Sequence, residues 1–309
     1  MEPDNHFSLQ KLEVFVKVAE LGGVRKAAEE LRVSQPVVSA HLRSLQQRLG
    51  ARLFSQDGRG IRLTEAGAEV HHWATEVLRG RVELDRSLRS LSAGSSGNAV
   101  IGASMSVGNS LLPPTLIRFR VAHPDAYLSL IISAVEIALE AVHTGRADFC
   151  VVGTDAVLDA RAFDAQLIGR PPFALIASGA NHNIPDRITP EEIARLPFVM
   201  PPSGMAIRRS QDAALASLGV NQRHAAMEFG SAESLKQAVA ANVGVALLWK
   251  TSVLGELANG TLRELHIDGP PLLDRLYLVK RQRKNLTAMQ TRLVDAIISD
   301  IAVILTDLG

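Results

Sequence analysis

The densest hydrogen-bonding chemistry in this 309-residue chain lies between Ser34 and Arg43. Ser34, Gln35, Pro36, Ser39, His41 and Arg43 alternate there with Val38, Leu42, Leu45 and Leu49, which recur at helical spacing. On a helix the apolar set turns inward and the polar set faces out. Such an outward row suits the major groove of DNA. Gln35 can pair bidentately with adenine and Pro36 can touch a thymine methyl, while Ser39 and His41 also face base edges. Ser34 caps the helix and can donate to phosphate. Arg25 and Arg43 are placed for backbone contacts, which position a protein without reading sequence.

The elements that would hold these groups are legible around them. Ser34 is a favoured N-cap, Pro36 sits in the first turn and Gly50 supplies the stop. Val24, Ala27, Ala28 and Leu31 mark a shorter helix just before, so residues 24–49 read as a helix-turn-helix. A helix from about Ser8 to Glu20, with a stripe of Leu12, Phe15, Val16 and Ala19, forms its platform. Two apolar-polar segments, Leu53–Gln56 and Ile61–Leu63, flank Asp57-Gly58-Arg59-Gly60 and predict a small hairpin, or wing, with Arg59 at its tip. From there Arg59 can reach phosphates or a minor groove. Residues 24–62 hold eight basic side chains against three acids, whereas residues 96–309 hold 19 against 20. A basic module on a near-neutral body is the electrostatic footprint of a nucleic-acid binder.

From Leu12 to Gly67 the runs LEVFVKVAELGG, AAEELRVSQPVVSAHLRSLQQRLGARLF and RLTEAG resemble the LysR-type transcriptional regulators. This chain departs from that pattern in having Gln46 in place of a glutamate, Gln56 in place of an arginine, and Ala40 where a long polar residue is common. The resemblance implies a homodimer or homotetramer that binds an approximately palindromic operator in double-stranded DNA. It also implies contact with RNA polymerase where the regulator activates.

Residues 64–92 predict one long helix, about 42 Å at ~1.5 Å per residue. Val70, Trp73, Val77, Leu84 and Leu91 follow a 3.5-residue repeat, with Leu88 adjacent and Gly80 in the seam, as self-pairing requires. Residues 93–98 are small and uncharged, and are expected to form a hinge. Beyond them strands alternate with helices, which argues for a parallel sheet covered on both faces. Two such halves, about 99–168 with 270–309 and about 169–269, joined by crossing strands near 166–170 and 266–272, predict a bilobed α/β body of the periplasmic-binding-protein type. The expected domains are thus a winged helix-turn-helix over 1–66, a dimerisation helix over 67–92 and an effector-binding domain over 99–309. The fold class is α + α/β.

Ligands in such sheets bind at the carboxyl ends of strands. Ser104, Met105 and Ser106 follow the first strand. Ser133 ends the second, with Glu136 as an acid nearby. Pro201, Pro202, Ser203 and Met205 precede a helix beginning near Ala206, and Ser231 starts a later one. These positions line the expected cleft, and Glu136 favours a neutral or hydroxylated ligand over a strongly anionic one.

No nucleophile elbow, phosphate loop, dinucleotide fingerprint or zinc-hydrolase motif occurs, so enzyme chemistry, a cofactor and a metal are not expected. The chain has one cysteine, Cys150, and no apolar run of 18 residues. With a polar start lacking a signal pattern, a cytoplasmic protein with no membrane partner is expected. The reading is a ligand-responsive, sequence-specific transcriptional regulator. A transport-system solute-binding protein and a ligand-independent DNA-binding protein are the alternatives.

Overall fold

The computed structural model describes residues 8–57, 60–92 and 97–308. The chain divides into two units, Met1–Leu88 and Arg89–Gly309. In the first, α1 (Leu9–Leu21), α2 (Val24–Leu31) and α3 (Gln35–Leu49) precede the hairpin of β1 (Phe54–Asp57) and β2 (Gly60–Leu63), and α4 (Glu65–Ser92) follows. The strands are antiparallel, with Phe54 opposite Leu63 and Asp57 opposite Gly60. Gly50 ends α3 in the left-handed conformation at φ 64°, which a residue without Cβ adopts at little cost.

Phe15, Val18, Val38, Leu45 and Leu53 are fully buried in one core. Phe15 stacks at a tilt on Phe54, centroids 5.3 Å apart. The burial on α1 is wider than the stripe expected. Val14 and Val18 are buried and Ala19 only partly, because α2, α3 and β2 enclose the helix on several sides.

The start of α4 explains the LTEAG run. Thr64 Oγ1 donates to the Arg52 carbonyl at 2.6 Å and accepts the Gly67 N–H at 2.9 Å. A Cβ at Gly67 would lie 2.0 Å from the Leu53 carbonyl oxygen, so only glycine fits. The seam on α4 needs correction. Val70, Ala74, Val77 and Leu78 pack onto the core of their own module, so Val70 and Val77 are already half-buried within one chain. Trp73, Leu84 and Leu88 remain exposed, at 43%, 58% and 51%. Space beside Gly80 is open, and the Leu91 side chain lies outside the described set.

The second unit has two sheets. One is ordered β4 (Ala126–Ser133), β3 (Gly97–Ser104), β5 (Phe149–Gly153), β13 (Leu276–Arg281) and β6 (Phe163–Gly169). Helices α5 (Leu112–Ala122), α6 (Val135–His143) and α11 (Ala288–Leu308) pack against it. The other is ordered β11 (Ala246–Trp249), β7 (Phe173–Ser178), β12 (Leu262–Ile267) and β8 (Arg187–Ile188). A parallel bridge between Phe198 and Val245 extends it to the pair β9 (Pro197–Met200) and β10 (His224–Glu228). Helices α7 (Pro190–Ile193), α8 (Ala206–Ala216), α9 (Ala232–Ala240) and α10 (Leu254–Ala258) belong to this half.

The sheets are mixed rather than parallel. β13 runs antiparallel to both β5 and β6, and β7 antiparallel to β11 and β12, because each half is closed by a strand returning from the other. Gly97 and Asn98, expected in the hinge, lie in β3 opposite Ala126 and Tyr127; residues 93–96 lie outside the described set. Gly169 ends β6 in the first sheet instead of opening the second half. The crossing is also shifted. Phe173 N–H donates to the Leu272 carbonyl at 2.8 Å and Asp274 N–H to that of Pro171 at 2.9 Å.

Candidate nucleic-acid interface and ligand cleft

Ser34 occupies the N-cap of α3 with extended backbone, and its carbonyl accepts the first helical N–H groups; its hydroxyl makes no cap bond. Ser34, Gln35, Pro36 and Arg43 are exposed, while Ser39 and His41 are half-buried. Gln35, Pro36, Ser39 and Arg43 follow Ser34 on one side of the helix, and Val38, Leu42 and Leu45 anchor the inner side in the core. His41, expected on the outer row, lies instead on the far flank beside Leu45, because two residues turn a helix by about 200°. Arg25 is exposed and within 3.6 Å of Glu29, a local pair that solvent screens. Arg59 lies outside the described residues.

Two features of this face were not singled out from sequence. Val33 and Val37 are exposed beside Pro36, giving the head of the helix apolar as well as polar contacts. Gln46 also has a role: its Oε1 accepts the Leu53 N–H at 2.8 Å, tying the end of α3 to the start of the wing.

In the second unit two cavities open between the halves. The larger, about 400 Å³, takes Met105 and Ser106 from one half and Pro201, Met205 and Ser231 from the other. The smaller, about 60 Å³, is lined by Ser104, Met105, Ser106, Ser133, Glu136 and Met205, and is closed by Trp249. Seven of the nine residues expected to line the cleft, and Glu136 beside them, are thus brought to the two cavities. Pro202 and Ser203 are not; they lie on the loop before α8, half-buried and exposed respectively, and line neither.

Several hydroxyls are already committed. Ser104 Oγ is buried and accepts the Gly153 N–H at 3.2 Å, and Ser133 Oγ donates to the Ala134 carbonyl. Ser231 caps α9 by accepting the Ser234 N–H at 3.2 Å. Missed from sequence were Asn109, Ser110, Phe229, Glu233, Lys236 and Ser252, all on the larger cavity. Asn109 and Ser110 sit in a π-helical turn, Val107–Leu111, that the helical pattern of the following residues concealed. Lys236 bonds Glu233 and Glu256 at 2.8 and 2.6 Å. Burial works against its charge, but the two carboxylates outweigh that and raise its pKa.

Behind the smaller cavity lies a buried acid. Asp274, 3% exposed, accepts the Trp249 indole N–H at 3.0 Å and the Arg275 N–H at 2.8 Å. Burial raises its pKa against those hydrogen bonds. A Cβ at Gly153 would lie 2.5 Å from the Trp249 ring, so glycine there lets the indole reach the acid. Cys150 is a core residue of β5 whose thiol burial pushes up to about 12, which suits no nucleophile or metal ligand. Among the described residues no group of three or more His, Cys, Asp or Glu is placed to hold a metal ion, and no helix is long and apolar enough to cross a membrane.

A winged helix-turn-helix joined to a two-lobed ligand cleft defines a ligand-responsive, DNA-binding transcriptional regulator. Residues 9–68 match the bacterial regulatory helix-turn-helix proteins of the lysR family, and residues 92–301 match the LysR substrate binding domain. The chain belongs to the LysR family of transcriptional regulators. It is 29% identical to the transcriptional regulator CbbR of Xanthobacter flavus, over 94% of this chain and 87% of that one. Its fold is similar to that of a full-length OxyR variant from Pseudomonas aeruginosa, with TM-score 0.62, 21% identity, and 96% and 95% of the two chains covered. It is also similar to the CcmR regulatory domain of Synechocystis in complex with 2-PG. That match has TM-score 0.58 and 21% identity, over 66% of this chain and 97% of that one.

Proposed function

We propose that the regulator works as a cytoplasmic homodimer or homotetramer whose paired α3 helices enter successive major grooves of an approximately palindromic operator. Gln35, Pro36 and Ser39 read base edges, and His41 approaches the groove wall from the other flank of the same helix. Ser34, Arg25, Arg43 and Arg59 hold the phosphates. A small effector in the cleft changes the relation between the lobes, and the activator form then contacts RNA polymerase. Trp73, Val82, Leu84 and Leu88, exposed on α4, contribute apolar surface to self-association. The proposed domains are a winged helix-turn-helix over 1–66, a dimerisation helix over 67–92 and an effector-binding domain that opens with β3 at Gly97.

One observation carries this reading most directly. A cavity of about 400 Å³ is lined from both halves, so an occupant touches Met105 and Met205 together and has different contacts when the lobes move. The test of the DNA side is a binding titration on fragments selected from genomic DNA, with random DNA as the control. Gln35→Ala should reduce discrimination between the two by about 1–3 kcal/mol, the scale of one bidentate base pairing. Arg43→Ala should weaken both alike and flatten the salt dependence. Equal losses from the two variants on both DNAs would sink the division of roles.

A further inference from the structure

The charges around the cleft are unequal. Lys236 lines the larger cavity but is shared by Glu233 at 2.8 Å and Glu256 at 2.6 Å. Ile207 lines both cavities, and the two arginines after it are also held. Arg209 reaches across the lobes from α8, with Nη2 3.4 Å from Glu136 on α6 and Nε 3.8 Å from Asp155 after β5. Arg208 lies 2.9 Å from Asp212 and 3.5 Å from Glu228, and Arg223 pairs with the same Asp212, so that cluster is balanced. Lys250, just before Thr251 and Ser252, is 3.1 Å from Glu264. Among these described groups, five cations face seven carboxylates, and the two in excess belong to the sets around Lys236 and Arg209, of which Lys236 and Glu233 line the larger cavity and Glu136 the smaller.

We infer that the effector carries a protonated amine and no net negative charge, with Glu233 and Glu136 as the carboxylates that receive the amine. The inference rests on the cleft being the effector site. An incoming phosphate or dicarboxylate would have to take Lys236 or Arg209 from two carboxylates and would then face both of them. An ammonium instead meets carboxylates of the opposite charge. Glu233 and Glu136 are each about two-thirds exposed, so they can turn to a ligand without losing their cations to burial. The remaining wall suits the rest of such a molecule: Asn109, Ser110 and Ser252 offer neutral hydrogen bonds, and Phe229, Met105 and Leu248 offer apolar contact.

The experiment uses the full chain in thermal-shift and calorimetric titrations. The amine panel is the α,ω-diamines of two to six carbons, lysine, arginine, ornithine and glucosamine. 2-PG, succinate and citrate form the anionic panel. At least one amine is expected to bind and none of the anions. Glu233→Gln and Glu136→Gln should each weaken that amine roughly tenfold, the scale of a hydrogen bond to a charged group. Ser252→Trp, which fills the larger cavity, should abolish its binding. An anion that binds, and is lost in Ser252→Trp, overturns the charge inference and keeps the cleft. An amine whose binding is untouched by Ser252→Trp overturns the cleft itself. No response to any amine also overturns the inference.

Discussion

The two units place their chemistry in opposite ways. In the first, most of the residues proposed to face DNA follow one another along a single helix, and one small core underlies that helix: Val38, Leu42 and Leu45 point inward between residues that are exposed. In the second, the cleft is assembled from Met105, Pro201, Phe229, Lys236 and Ser252, which are far apart in sequence and come from both lobes. A contiguous site is as stable as the helix that carries it. An assembled one is as adjustable as the lobes are, which is what a sensor needs.

The largest effect should come from breaking the core beneath the contiguous site. Phe15 is fully buried against Phe54 and within 6.3 Å of the His71 ring. Phe15→Ala should cost about 3–5 kcal/mol, the usual range for a buried aromatic. A domain of this size has little more than that to lose. DNA binding should disappear, while the thermal transition of the second unit stays in place in calorimetry. A joint loss of both transitions would mean that the units fold as one.

Acid should separate the two regions more gently. Burial lowers the pKa of His71, against a raising contribution from Glu20. The folded module then binds fewer protons than the unfolded chain, so its stability falls as pH drops through the unfolded value of about 6.5. Asp274 is the reverse case. Its pKa is raised by burial, so the folded unit binds more protons and loses stability as pH rises from about 3.9 through the folded value. Between pH 7 and 5 the first transition should move down in temperature while the second holds or moves up. His71→Asn should flatten the first trend and Asp274→Asn the second. Parallel trends in both units would remove these two groups as the cause.

The same contrast governs what could be read from the residues. Helix-turn-helix, wing and long helix follow from local rules: caps at Ser34 and Thr64, a stop at Gly50, apolar spacing. Even there α4 misled, because the repeat through Val70 and Val77 fits both self-pairing and the packing onto its own module that occurs. In the second unit, single strands such as FCVVG were legible from their apolar runs. The antiparallel return of β13 was not, since pairing direction is settled by the chain's path. β6 was legible only over its second half, as the crossing strand near 166–170, because Asp164, Ala165 and Gln166 are exposed on an edge strand and show no alternation. In the cleft, the serines at strand ends were legible. Lys236 carries no signal in the sequence; only the fold brings it to the larger cavity and sets Glu256, twenty positions along the chain, beside it. Glu136 was read as a lone acid, but its partner Arg209 is 73 positions away.

The smallest expected effect concerns that last pair, and it separates two kinds of surface ion pair. Arg25 and Glu29 lie one turn apart on α2, so removing either alters one helix and nothing beyond it. Arg209 spans the lobes, so the geometry of its bonds to Glu136 and Asp155 changes with every opening of the cleft. Both pairs are solvent-exposed, and Arg209→Ala should lower the second transition by no more than about 0–1 kcal/mol. The difference should appear in the balance between open and closed lobes. Arg209→Ala should enlarge the radius of gyration of the unliganded second unit in small-angle scattering, whereas Arg25→Ala should leave it unchanged. Raising salt to 1 M, where screening acts within roughly 3 Å, should make the parent chain scatter like the variant. If scattering is the same for parent and variant at low salt, the contact is ornamental and the lobes are held by their crossing strands alone.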